Sequence, residues 1–129
     1  MNGKYMLDTN IVIAMLSGEQ SVVGRAEPTD EFYVSSTIAG EMFYGAYNSG
    51  NVDENIQRIE SFLTAAVSLP CDERTSRLYG EIKSLLRRSG RPIPDNDIWI
   101  AASTMQHSLT LVTRDAHFNE VEGLRSVRW

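Results

Sequence analysis

The sequence predicts an α/β fold, a three-layer α/β/α sandwich around a mostly parallel central sheet. Short apolar runs alternate along the chain with segments of helical periodicity, such as the one that carries Leu78, Ile82, Leu85 and Leu86 along one side. Those intervening segments are long enough for the crossover connections that parallel neighbours require. No internal repeat, low-complexity tract or Gly/Ser linker interrupts the alternation, so residues 1–129 read as one domain.

Each element has its own signal. Residues 5–7 form a buried strand that stops at Asp8. Thr9 or Asn10 then caps a helix with Ile11, Ile13, Ala14 and Leu16, and Gly18 ends it because glycine accepts a left-handed conformation. Residues 32–34 give a second strand, after which Ser35, Ser36 and Thr37 offer caps to a helix through Tyr47. A further helix spans residues 53–63. Val67–Leu69 reads as a short strand closed by Pro70, and Asp72 caps the long helix that ends at Gly90. The Arg91-Pro92-Ile93-Pro94 loop cannot be helical inside, so the next helix starts from a cap at Asp95 or Asn96 and runs to about Met105. Residues 109–113 form a strand, residues 115–120 a turn or short helix, and residues 124–127 a last strand beyond Gly123.

Composition limits what such a fold can do. With 129 residues, 42% of them hydrophobic, the chain can bury a core without disulfides or a structural metal, so any metal serves function. Cys71 is the only cysteine, which excludes an internal disulfide and a cysteine-based zinc or iron–sulfur site. The longest uncharged run covers residues 98–113, 16 residues with Gln106 and His107 among them, short of the roughly 20 apolar residues of a membrane span. Asp8 cuts the first apolar run short, no secretory signal is visible, and the cytoplasm is the expected compartment. A net charge of −5 is unfavourable for a polyanionic partner. That total hides a bias, because 6 of the 12 basic residues lie between Arg74 and Arg91.

Acidic residues occupy the positions where chemistry is expected. In an open parallel sheet, ligands bind beyond the carboxyl ends of the strands. Asp8 and Asp115 each follow a strand, and Asp97 lies in the first turn of a helix that can face the same edge. Taken singly, such aspartates usually cap helices or form turns, and Asp95 fits that ordinary role best. Glu41 is different: it lies beside the inward stripe marked by Ile38, Met42 and Gly45, where a carboxylate is costly unless it is paired or binds a cation. Its ordinary alternative is a glutamate at the helix margin that reaches back to water. Four clustered carboxylates oppose folding without a counter-ion, and hard oxygen donors select magnesium or manganese. These four also account for four of the five units of net negative charge.

Four segments, in this order and spacing, resemble the PIN domain family and within it the VapC toxins of bacterial toxin–antitoxin pairs. They are Met6-Leu7-Asp8-Thr9-Asn10, Ala39-Gly40-Glu41-Met42-Phe43-Tyr44-Gly45, Ile93 through Ala102 around Asn96-Asp97-Ile98, and Thr113-Arg114-Asp115-Ala116-His117-Phe118. The resemblance implies a parallel sheet between helices and a metal-dependent endoribonuclease. It carries Asp8, Glu41, Asp97 and Asp115 over as catalytic metal ligands for Mg2+, with Mn2+ as a substitute, and Thr9 and Thr113 as hydroxyl supports. It also implies an RNA substrate, a small antitoxin that blocks the pocket, and a homodimer. The chemistry is consistent with that implication, since a divalent ion can lower the pKa of an attacking water and support the leaving oxygen of a phosphodiester.

Other features have ordinary readings. The basic residues from Arg74 to Arg91 form a solvated helix face or an RNA-backbone surface. Arg114 reaches a phosphate or pairs with an acid. His107 and His117 are not assigned to the metal, because hard magnesium sites favour oxygen. Phe43, Tyr44 and Tyr47 make core, subunit or base contacts, and Trp99 and Ile100 are candidates for a dimer face. The alternatives are a non-toxin RNA-processing nuclease of the same fold, a phosphotransfer enzyme with Asp8 as nucleophile, and a non-catalytic interaction module. The Asp-x-Asp signature of aspartate-based phosphatases is broken here by Asn10.

Overall fold

The computed structural model describes residues 3–129. Five strands, β1 (Lys4–Leu7), β2 (Glu31–Ser35), β3 (Val67–Leu69), β4 (Thr110–Val112) and β5 (Ser126–Val127), pair in the order β3-β2-β1-β4-β5, and every pair is parallel. The sheet is therefore wholly parallel, where the alternating pattern predicts a mostly parallel one. Its connections contain α1 (Thr9–Leu16) and α2 (Gln20–Val23), α3 (Ser36–Tyr47) and α4 (Val52–Ala65), and α5 (Glu73–Arg88) and α6 (Asp95–Gln106). A 3-10 turn, Ala116–Glu120, joins β4 to β5. The chain moves outward from β1 to β3 and then crosses back to β4 on the far side of β1. With right-handed crossovers, this reversal puts α1 to α4 over one face and α5 and α6 over the other.

The core lies along the central strands and the helices over them. Met6 and Leu7 on β1 and Leu111 and Val112 on β4 are fully buried, as are Ile11, Ile38 and Ile100. Helix α6 is buried at Ile98 and throughout residues 100–104, as expected of a helix enclosed by its neighbours. In α3 the buried stripe is Ile38, Met42 and Ala46 rather than one ending at Gly45. At 100° per residue, that sector leaves Glu41 and Gly45 together at its margin. In α5, Ile82 and Leu86 are buried but Leu85 is exposed, so its apolar stripe is narrower than the sequence suggests.

Most ends are held by the expected chemistry. Ser35 accepts a hydrogen bond from Ile38 N, Asp72 and Thr75 form a reciprocal capping box, and Gly18 and Gly90 have φ of 76° and 70°. Two expectations need correction, and one helix has no sequence signal. Helix α1 is capped by Asp8, not by Thr9 or Asn10, since the Asp8 carboxylate accepts from Thr9 N at 2.9 Å. Neither Asp95 nor Asn96 caps α6: Pro94 occupies that position with φ of −57°, and Asp95 instead pairs with Lys83 at 3.0 Å. The short helix α2 was not anticipated, because four residues are too few for periodicity to register. Among the described residues, no helix is long and apolar enough to cross a membrane.

Candidate metal centre at the carboxyl edge of the sheet

The switch in strand order between β1 and β4 opens a crevice at their carboxyl ends, where open parallel sheets bind ligands. Leu7 pairs with Val112, so Asp8 and Thr113 emerge side by side. Asp8 N donates to Val112 O at 3.0 Å, and Thr113 Oγ1 donates to Asp8 Oδ2 at 2.7 Å. Both oxygens of this buried carboxylate thus accept a hydrogen bond, one from Thr9 N and one from Thr113, and each keeps a further lone pair. Asp8 is a helix cap and a member of the crevice at once. With both oxygens engaged, it is poorly arranged as a free nucleophile.

The other acids arrive from three elements. Glu41 reaches over from α3, where Thr9 Oγ1 donates to its Oε1 at 2.7 Å and Asn96 Nδ2 to its Oε2 at 3.3 Å. Asp97 enters from the first turn of α6. Asp115 caps the 3-10 turn, accepting from His117 N at 2.9 Å, while its own N donates to Thr113 Oγ1 at 3.0 Å. Thr113 therefore ties Asp8 to Asp115, and Thr9 ties Asp8 to Glu41. The tightest group is not the whole quartet: Asp97, Asp115 and His117 offer ligand atoms that all lie within 4.8 Å of one another. His117 Nδ1 stands 3.1 Å from both Asp97 Oδ2 and Asp115 Oδ1.

The electrostatics match this crowding. Burial is the main cause that raises the Asp8 carboxyl above its ordinary pKa, the charges of Asp97 and Glu41 add to it, and the bonds from Thr113 and Thr9 oppose it. Asp97 is also raised, by burial first and then by the charges of Asp115 and Glu41, against the lowering hydrogen bond of His117. At the 4.8 Å limit of the group, two unit charges repel by on the order of 3 kcal/mol at an effective dielectric of about 20, before screening by water. Among the described residues, no lysine or arginine lies within ion-pair distance of these four acids. Converging hard oxygen donors with no lysine or arginine to neutralise them fit a divalent cation.

Nearby features are already engaged. Arg114 pairs with Glu19 and donates from Nε to the Trp129 carbonyl at 3.0 Å, so it is held by protein groups. Trp99 stacks on Tyr79 at 4.1 Å between centroids, and Ile100 is fully buried, which removes it from any dimer face. Tyr44 and Tyr47 are exposed on α3, whereas Phe43 packs against the core. A hollow of about 300 Å³, lined by Ile13, Leu16, Met42, Ala46 and Ile59, adjoins Glu41. The sequence singles out the four acids that the fold brings to this edge, sets His117 aside as a metal ligand, and reads Asn96 only as a helix cap. The one available signal for His117 was its spacing, two residues beyond Asp115 in a tight turn.

Comparison with known proteins agrees with this architecture. The family model described as "PIN domain" matches residues 5–124. The chain is 36% identical to Ribonuclease VapC2 of Haemophilus influenzae, over 98% of each chain. It is 32% identical to the tRNA(fMet)-specific endonuclease VapC of Shigella flexneri, again over 98% of each. Among solved structures, VapBC2 from Rickettsia felis bound to a promoter DNA fragment superposes with a TM-score of 0.90 at 26% identity, covering 98% of both chains. The chain belongs to the PIN domain family and, within it, to the VapC group.

Proposed function

We propose that this protein is an endoribonuclease that hydrolyses RNA phosphodiester bonds and acts as the toxin of a toxin–antitoxin pair, with residues 1–129 forming one PIN-like domain. The observation that carries the reading is the meeting of Asp8, Glu41, Asp97 and Asp115 at the carboxyl ends of β1 and β4, with no lysine or arginine among the described residues to pair with them. In this reading the four acids hold Mg2+, with Mn2+ as a substitute. A divalent cation bound there supplies a water nucleophile at neutral pH and offsets the charge that builds on the phosphoryl oxygens.

The chain's own residues do the rest. The hydroxyls of Thr9 and Thr113 fix the orientation of Glu41 and Asp8, and Asn96 holds the second oxygen of Glu41. Without a cation, burial and the neighbouring acids raise the Asp8 and Asp97 carboxyls, and a divalent charge bound beside them lowers them again, so that they hold the ion as carboxylates. The exposed Arg74, Arg77, Arg87 and Arg88 on α5 offer charge to the RNA backbone, which positions a strand without reading its sequence. The partner is a small antitoxin, supported by the relatives' VapBC complexes. The apolar hollow beside Glu41 suits a partner that covers the acids, and the proposal extends to a homodimer in the cytoplasm.

Labelled RNA incubated with the protein tests this reading. Cleavage is expected with Mg2+, none with chelator, and a loss in Asp8→Asn and Asp97→Asn; equal cleavage by the variants overturns it. Controlled expression tests the toxin role: growth arrest relieved by co-expression of the adjacent small gene supports it, and indifference of the cells contradicts it.

A further inference from the structure

We propose that His117, through Nδ1, is a protein ligand of the cation held by Asp97 and Asp115, so that the centre has a mixed nitrogen and oxygen donor set. The inference rests on the metal-dependent reading above and concerns a residue outside the acidic quartet. Its basis is placement. Nδ1 lies 3.1 Å from one oxygen of each aspartate. Two ligands at right angles about an ion with bonds of about 2.1 Å are about 3.0 Å apart, the edge of an octahedron. The same spacing suits a hydrogen bond, but one Nδ1 carries at most one proton and faces two carboxylates. A divalent ion among the three atoms satisfies all of them.

The ring is held there by the backbone. His117 N donates to Asp115 Oδ1 at 2.9 Å, and Phe118, the next residue, is 1% exposed and anchors the 3-10 turn in the core. The side chain itself is 52% exposed, which leaves room for water or phosphate on the solvent side. An imidazole nitrogen is a borderline donor. It suits transition metals better than magnesium, so it biases the centre toward Mn2+ over Mg2+ without abolishing Mg2+ binding.

The test is pulsed electron paramagnetic resonance on the full chain loaded with Mn2+, with Mn2+ and Mg2+ affinities measured by calorimetry at one fixed pH. Wild type is expected to show nitrogen-14 modulation from a coordinated imidazole, which His117→Gln loses and His107→Gln keeps. His117→Gln is also expected to weaken Mn2+ binding about tenfold and Mg2+ binding less, so the preference between the two ions narrows. Circular dichroism of the exposed-site variant controls for folding. Mn2+ bound without nitrogen modulation, or with modulation unchanged in His117→Gln, overturns the role of His117 and leaves the acidic centre standing. No Mn2+ bound by wild type overturns both.

Discussion

Asp8 and Asp72 each follow a strand and cap the next helix, Asp8 by accepting from Thr9 N and Asp72 through a capping box with Thr75, yet their environments push them in opposite directions. Asp72 is exposed, and bonds from Thr75 N and Gln106 Nε2 hold its carboxyl below the usual range. Asp8 accepts a comparable number of hydrogen bonds but is 7% exposed and shares its crevice with Asp97 and Glu41, and burial wins. A cap and a functional carboxylate are therefore not alternatives. Capping is decided by the local backbone, whereas the charge state is decided by what the fold brings within a few ångströms.

Substitution separates the two. Asp97→Asn and Asp8→Asn are expected to lower Mg2+-dependent RNA cleavage by at least about a hundredfold, while Asp72→Asn leaves it unchanged. A comparable loss in Asp72→Asn erases the contrast. A step down in size, Thr113→Val removes the hydroxyl that orients Asp8 and should weaken Mg2+ binding about tenfold by calorimetry, with Thr113→Ser close to wild type.

The pH dependence of stability separates them without a cation. A carboxyl raised on folding favours the protonated native state. The Asp8 and Asp97 contributions therefore increase metal-free stability as pH falls from neutral through their folded pKa toward the ordinary value of 3.8. Asp72 has the opposite sign, its contribution being present above 3.8 and lost as pH falls through its depressed folded value. Urea titrations in chelator should show the rising limb in wild type, a smaller one in Asp8→Asn and an unchanged one in Asp72→Asn. The smallest effect expected is a modest fall in melting temperature for Asp72→Ala, from the lost capping box, with cleavage intact.

Elements with strong local chemistry were readable from sequence. Val67–Leu69 ends at a proline, Asp72 and Thr75 sit at capping-box spacing, and Gly18 and Gly90 stand where a left-handed residue must. The places that misled are those where two local signals compete. Asp95 lost its capping role because Pro94 fixes the entry to α6 and Lys83 takes the carboxylate. Asp8, Asp97 and Asp115 are legible because each lies at or just after an element boundary, and Glu41 because it sits beside an apolar stripe, but which acids Thr9 bridges, and Asn96 reaching Glu41 across 55 residues, are products of the fold. For His117 the sequence offers only its place two residues beyond Asp115, and the preference of hard magnesium sites for oxygen argues against it.

The most direct test of the account is anomalous diffraction from crystals soaked in Mn2+. It predicts a manganese peak bounded by the carboxylates of Asp97 and Asp115, with Asp8 and Glu41 facing it. Full-occupancy manganese found only elsewhere on the surface, with these four carboxylates bare, contradicts it.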